Sequence, residues 1–383
     1  MPRLVISTVG TSLLTNQILP KIHKNYAERL KATANDTSEK VQQYHPDVLT
    51  IISTLKNIAE EKLYGDDSSL EQIREASAEL NGIYGLYDDQ LEQGKPDMHW
   101  LIATDTAQGQ ITAQIVQEFL EAQGLVSQIY TPEKFSTAST NSFTSGIDKL
   151  LEWMDDTLPG YKDAGYQVCF NLVGGFKALQ GYANTIGMFY ADEMIYLFEG
   201  SSEVIKIPRL PIEINQSVIK PIPFALMAVE QDAMVKLSEL QGVRETLISV
   251  AGDKAKLSNW GRLTWNKCKE NILSGELLSF PKLQYEPSFK KDYESTKDKK
   301  EKIKLQETLA KVSHLLVKSN GDITPLKGDG GVQYEVYEKA DRKQIEGLAH
   351  FRVTQALRVS CVTSGNALIL RHYGSNLHSP RNA

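Results

Sequence analysis

Cysteine is scarce in this 383-residue chain: Cys169, Cys268 and Cys361 lie far apart, with no CxxC pair and no Cys/His cluster. That spacing excludes a disulfide framework and a zinc site, and predicts metal-independent chemistry with no cofactor. Long apolar runs are also missing. None approaches the ~20 residues needed to span a bilayer, so no membrane partner is expected. The opening MPRLVISTVG passes from a strand-like stretch directly into Gly-Thr-Ser without a signal-peptide cleavage region, which predicts a cytoplasmic protein. Neither a dinucleotide GxGxxG nor a Walker P-loop occurs. Hydride transfer and P-loop ATP hydrolysis therefore lose support.

The length exceeds one ordinary core of roughly 100 to 200 residues, and the composition is that of a folded protein. Charge is unevenly placed. Residues 1–280 carry 24 Lys and Arg against 36 Asp and Glu, a net of −12, whereas residues 281–383 carry 18 against 12, a net of +6. The C-terminal hundred residues are thus the better candidate for touching a polyanion, although charge alone leaves KKDYESTKDKKEKIK open as a solvated helix face.

Short apolar runs alternate with helical stretches in the first half: LVISTV (4–9), WLIAT (100–104), QIYT (128–131), YQVCFNLV (166–173) and MIYLF (194–198). Continuous runs of this kind between helices predict an α/β fold, a doubly wound, mostly parallel sheet covered on both faces. DVLTIISTLKNIAEEKL and SLEQIREASAELNGIYGL show 3.6-residue spacing and read as helices elaborating the first crossover. VIKIPRLPIEI ends the sheet region, its prolines suiting an edge strand or exit loop. Residues 216–280 read as a helical connecting domain with Ser258 as an N-cap, and residues 281–383 as a small α+β domain. In the latter, helices near 288–318 precede the strands VQYEVYE, AHFRVTQ, LRVSCVT and NALILRHY, the last two joined by a hairpin at Ser364-Gly365. The predicted domains are therefore 1–215, 216–280 and 281–383.

Three predicted strand ends are polar. They are Gly10-Thr11-Ser12, Thr104-Asp105-Thr106 with Gly109 and Gln110, and Asn171-Leu172-Val173-Gly174-Gly175-Phe176-Lys177. Beyond the carboxyl ends of parallel strands, loops and helix N-termini present N–H groups to anions, so the three together predict a phosphate-bearing ligand. Singly, Ser12 or Asp105 could as well be a plain helix cap. STVGTSLLTN, LIATDTAQGQITAQ and FNLVGGFKALQGYA resemble, in order and spacing, the signature segments of the CRISPR-associated Rossmann-fold (CARF) sensor domain. The resemblance covers residues 1–215 and implies a homodimer that binds a cyclic oligoadenylate, most often cyclic tetraadenylate. It implies contacts from Thr11, Ser12, Asp105, Thr106, Asn171, Gly174, Gly175, Phe176 and Lys177. Some members of that family also cleave their ring slowly, and Ser12 and Lys177 fall at the positions that hold the reacting ribose and phosphate, so the resemblance raises this side activity as a hypothesis.

The usual effector of such sensors, a HEPN ribonuclease, requires Arg-x(4–6)-His on a helix. Arg371 and His378 have that spacing, but the stretch between them contains glycine and continues a strand pattern, so HEPN is rejected. YEPSFKKDYES, PLKGDGG, AHFRVTQALRVSCV and NALILRHYGSNLHSP instead resemble the RelE family of messenger-RNA interferases over residues 282–383. The resemblance implies basic strand residues around a scissile phosphate, here Arg352 and Arg358. His372, Tyr373 and His378 lie on or after the last strand, and Arg371 alternates in direction with His372. Metal-free RNA cleavage needs a base for the 2′-hydroxyl, cations around the phosphorane and an acid for the 5′-oxygen, roles that suit arginine and histidine. His314 reads as a core residue.

The combined expectation is a homodimeric endoribonuclease, activated by cyclic oligoadenylate, that cuts messenger RNA held by the ribosome. Two alternatives stand beside it. One is a ring nucleotide-regulated transcription factor with a helix-turn-helix in 221–278, which the even balance of seven basic and seven acidic residues there disfavours. The other is a stand-alone ring nuclease whose C-terminal domain does not catalyse.

Overall fold

A computed structural model defines the fold and describes residues 1–198, 203–337, 346–375 and 377. The chain forms two compact units, Met1–Glu213 and Ile214–Ala383.

In the first unit the strands are β1 (Arg3–Thr8), β2 (Met98–Ile102), β3 (Val126–Tyr130), β4 (Gln167–Asn171), β5 (Glu193–Leu197) and β6 (Val204–Pro208). They make one sheet in the order β3-β2-β1-β4-β5-β6. Strands β1 to β5 are parallel, and β6 returns antiparallel along one edge, where Pro208 removes no interior ladder bond. Successive side chains of a strand point to opposite faces, yet Leu4, Val5 and Ile6 are all at most 2% exposed, so both faces of β1 are covered. That double burial is why the strand reads as an unbroken apolar run. The chain steps from β1 to β2 and β3 on one side, then returns to lay β4 and β5 on the other. The order reverses between β1 and β4, and the carboxyl ends of these two strands flank the crevice where open α/β sheets take ligands.

Five helices, from Tyr26–Ala32 to Ala78–Leu86, fill the first crossover as the periodicity predicts. In the longest, Pro46–Tyr64, Val48, Ile51, Ile52, Leu55, Ala59 and Leu63 keep helical spacing and join the core that holds Val5, Leu101 and Cys169.

The second unit starts with helix Pro221–Met227, a small antiparallel sheet of β7 (Val235–Lys236), β8 (Ile248–Ala251) and β9 (Lys254–Leu257), and helix Asn259–Leu273. The all-helical expectation for 216–280 fails at the β8–β9 hairpin. There ISVA and KAKL flank a two-residue Gly252-Asp253 loop, and Gly252 takes φ 65°, a conformation only glycine adopts at no steric cost. Ser258 does cap the helix that follows, accepting a hydrogen bond from the Gly261 N–H at 3.1 Å.

Strands β10 (Leu283–Tyr285), β11 (Glu335–Val336), β12 (Ala349–Arg352), β13 (Arg358–Ser364) and β14 (Ala367–Gly374) form a sheet in the order β10-β14-β13-β12-β11. β10 pairs parallel with β14, and the other pairs are antiparallel. The expected helical pair is Pro287–Ser295 and Lys299–Lys318. The last hairpin turns at Gly365-Asn366, one residue later than expected, because Ser364 still pairs with Ala367 and Gly365 supplies the left-handed φ of 58°. Phe224, Trp265 and Cys268 share one apolar cluster with Leu309, Phe351 and Leu370, so residues 214–280 are built into the second unit's core. Among the described residues, no helix is long and apolar enough to cross a membrane.

Candidate functional site

All three polar strand ends reach one cavity of about 320 Å³ at the β1/β4 reversal. Val9–Ser12 follow β1, Thr104 and Thr106 follow β2, and Val173–Phe176 follow β4; Asn35, Ala78 and Thr137 complete much of the wall. A second cavity of about 450 Å³ shares Thr11, Thr15 and Ala34 with the first and is also lined by Lys31. The glycines are needed for the approach of one strand end to another. A Cβ on Gly10 would lie 3.0 Å from the Gly175 nitrogen, and Gly175 itself has φ 96°. Thr8 Oγ1 donates to the Gly174 carbonyl at 2.6 Å and ties the β1 and β4 ends together.

A carboxylate from the inserted helices supports this floor. Glu79 stands in the first turn of helix Ala78–Leu86, where the helix dipole favours negative charge, and it is 0% exposed. Its Oε1 accepts the Gly10 N–H at 2.7 Å; its Oε2 accepts the hydroxyls of Ser12 at 3.0 Å and Ser77 at 2.8 Å. Ser12 in turn accepts from the Ala78 N–H at 3.1 Å. Two of the donors read as phosphate-holding at the β1 end, the Gly10 N–H and the Ser12 hydroxyl, are therefore satisfied internally. The sequence reading missed Glu79 altogether.

Of the twelve residues expected to touch the ligand, Gly10, Thr11, Ser12, Thr106, Gly174, Gly175 and Phe176 line the cavity. The rest are placed differently. Asp105 accepts the Lys134 N–H at 3.0 Å and the Gln110 amide at 3.3 Å, and Gln110 also accepts from Ser38 at 3.1 Å, so this pair holds the adjoining loops. Gly109 allows close packing, because a Cβ there would meet Thr104 Oγ1 at 2.0 Å, and its N–H is capped by Thr106 at 3.1 Å. Asn171 is fully buried and links Ser7 at 3.2 Å to the Glu79 carbonyl at 3.1 Å. Lys177 is exposed at the start of helix Lys177–Tyr190, one residue beyond the cavity wall. Phe176 also packs, its ring 6.0 Å from Phe135 and 5.9 Å from Phe143.

In the C-terminal sheet the register decides which side chains meet. His350 pairs with Ser360 and Ser360 with His372, giving one row across three strands; Arg352 pairs with Arg358 in the next row on the same face. Cross-strand neighbours in such rows lie about 5 Å apart at Cβ and adjacent rows about 7 Å, so both arginines and both imidazoles occupy one patch. His350 was not singled out from the sequence. It is buried and stacks on Tyr337 with centroids 4.7 Å apart.

Arg371 and Tyr373 leave this patch because of a β-bulge. Leu370 pairs with Cys361 and His372 with Ser360, so Arg371 has no opposite number and the alternation resets after it. Tyr373 pairs with Val359 and enters the apolar cluster, where burial and the Glu301 carboxylate push its phenol up. It therefore does not share the arginines' face as expected. Arg371 turns toward Glu286, with Nε 3.5 Å from Oε2. His372 remains in the patch, about a third exposed, with Nδ1 3.1 Å from Asp292 Oδ2. His378 lies outside the described residues.

Residues 74–210 match a family described as CRISPR-associated protein (Cas_APE2256), a segment that contains Glu79 and β2 to β6. This similarity links the first unit to CRISPR-associated proteins.

Proposed function

We propose that the chain acts in CRISPR immunity as a ribonuclease switched on by a ring nucleotide. A cyclic oligoadenylate, with cyclic tetraadenylate the first candidate, binds the paired sensor units of a homodimer. The C-terminal unit then cleaves messenger RNA in the ribosomal decoding site. The observation that carries the reading is a division of chemistry between the two units. The cavity at the sheet reversal has a size suited to a small ligand, and its walls hold hydroxyls, amides and backbone groups with no charged side chain among the described lining residues. The C-terminal sheet carries the opposite inventory, two arginines and two histidines on one face. The first favours recognition and the second reaction.

In the proposed reaction Arg352 and Arg358 neutralise the charge that develops on the phosphorane, a task suited to planar, permanently charged guanidinium groups. The 2′-oxygen bonds to phosphorus as the P–O5′ bond breaks, the 2′-proton passing to an imidazole and the 5′-oxygen taking a proton from water. The products are a 2′,3′-cyclic phosphate end and a 5′-hydroxyl end. The RelE-like order of elements, a strand, two helices followed by the short helix Thr324–Gly328, and then an antiparallel sheet, supports assigning this chemistry to residues 281–383.

The test adds cyclic tetra- or hexaadenylate to the protein with translating ribosomes and maps the message ends. Wild type should give ring-dependent ends, Arg358→Ala roughly 100-fold fewer, and Lys177→Ala the same ends at higher ring concentration. Wild type without ring-dependent ends overturns the assignment.

A further inference from the structure

β10 stops at Tyr285, so β14 continues past its parallel neighbour and offers backbone groups at 371–373 along that edge. Helix Pro287–Ser295 takes the strand's place. Ser288 Oγ donates to the Arg371 carbonyl at 2.6 Å, and one turn later Asp292 Oδ2 accepts the Tyr373 N–H at 3.1 Å. The same Oδ2 lies 3.1 Å from His372 Nδ1. The His372 backbone N–H is held separately by Ser360 Oγ at 3.1 Å. Backbone and ring of His372 are thus fixed by different partners on either side of the bulge.

We propose that Asp292 is a positioning residue that makes His372 the proton acceptor of the C-terminal site. The proposal rests on the ribonuclease reading given above. A carboxylate oxygen can only accept, so the contact places the imidazole proton on Nδ1 and leaves the lone pair on Nε2. The His372 side of the sheet carries Arg358 in the next row on the neighbouring strand, about 7 Å away at Cβ, and Arg352 one strand further. As the 2′-oxygen bonds to phosphorus and the P–O5′ bond breaks, the 2′-proton is transferred to Nε2 and Asp292 stabilises the resulting imidazolium; the 5′-oxygen takes a proton from water, and the imidazolium returns its proton to the hydroxide left behind. The sequence could not reveal this, because 80 residues separate the pair. Without Asp292, either nitrogen could carry the proton, and the base would be available for only part of the time.

The test uses the full chain with cyclic tetra- or hexaadenylate and translating ribosomes, together with nitrogen NMR of ¹⁵N-histidine-labelled protein in which His372→Gln assigns the resonance. In wild type the His372 proton should reside on Nδ1. Asp292→Asn keeps the shape but not the charge: with its amide oxygen in the Oδ2 position it still accepts from both the Tyr373 N–H and Nδ1, while the imidazolium formed on proton transfer loses its carboxylate partner. Cleavage should then fall roughly 10- to 100-fold, part of the 10² to 10⁴ that general acid–base catalysis contributes, with unfolding temperature and ribosome affinity unchanged. Asp292→Glu should restore part of the activity. A wild-type His372 protonated on Nε2 overturns the proposal even if no variant folds. Asp292→Asn cutting at the wild-type rate, while Arg358→Ala does not cut, overturns it and leaves the ribonuclease reading standing. Wild type that makes no ring-dependent cuts overturns that reading itself, and with it the proposed role of Asp292.

Discussion

Ser12 donates its hydroxyl to Glu79 at 3.0 Å, and in doing so commits at the cavity floor the group that a phosphate ligand would otherwise engage. The carboxylate is fully buried and accepts three donors, one of them the Gly10 N–H. Hydrogen bonds to a charged group are worth roughly 1.5–3 kcal/mol each, and removing one side of a buried charged network strands the others. Glu79→Ala should therefore destabilise the first unit by about 3 kcal/mol or more, whereas Glu79→Gln, which can still accept from Gly10, should cost less. Urea unfolding followed by circular dichroism measures this. A Glu79→Ala loss below about 1 kcal/mol would show that the carboxylate does not hold the floor together.

How far the sequence revealed these features depends on the range over which each is encoded. The parallel strands were legible because double burial writes itself as local apolar runs, as in Leu4, Val5 and Ile6, whereas the strand order that sets the reversal between β1 and β4 has no such local signature. The three strand ends were legible because glycine and hydroxyl residues cluster within each. Glu79 was not, since its partners Gly10 and Ser12 lie 69 and 67 residues away and a glutamate in a first helical turn is ordinary. Asp105 and Asn171 resembled ligand contacts for the same short-range reason, yet their polar atoms are used to fasten loops and helices. The bulge at Arg371 leaves no local signature, and it alone moves Tyr373 to the core side. The β8–β9 hairpin did have a signal, alternation about Gly252-Asp253, that the flanking helical stretches obscured.

His99 gives the first unit a predictable acid response. It sits on β2, fully buried, with Tyr87 Oη 3.1 Å from Nε2. The Tyr87 hydroxyl already donates to Asp97 at 2.9 Å, so Nε2 is the donor and Nδ1, which has no partner, carries the lone pair. A second proton would put a charge with no acceptor inside the sheet, and burial accordingly lowers the His99 pKa from 6.5 to about 4. Between those values the unfolded chain binds the extra proton and the folded one does not. The contribution is complete above pH 6.5, declines as pH falls, and levels off near pH 4 after a loss of about 3 kcal/mol. Melting curves of wild type and His99→Leu across this range measure it. The variant should show the shallower dependence, and parallel curves would exclude His99 as the source.

Arg352 and Arg358 stand directly opposite each other on β12 and β13, an arrangement of like charges that antiparallel sheets disfavour. Both guanidinium groups occur in a sheet whose other face is apolar, with Phe351, Val359 and Cys361 at 0% exposure, so packing holds the strands together despite the repulsion. If the pair exists to meet a phosphate, removing one charge should separate stability from activity. Arg358→Gln should change unfolding free energy by no more than about 0.5 kcal/mol, the usual range for a surface substitution, while ring-dependent cleavage falls roughly 100-fold. A structural pair would behave in the opposite way, losing stability first and activity only in proportion to the unfolded fraction. Denaturant unfolding and cleavage measured on one preparation decide between them. An Arg358→Gln protein that is markedly less stable yet cuts at the wild-type rate per folded molecule would remove these arginines from the proposed site.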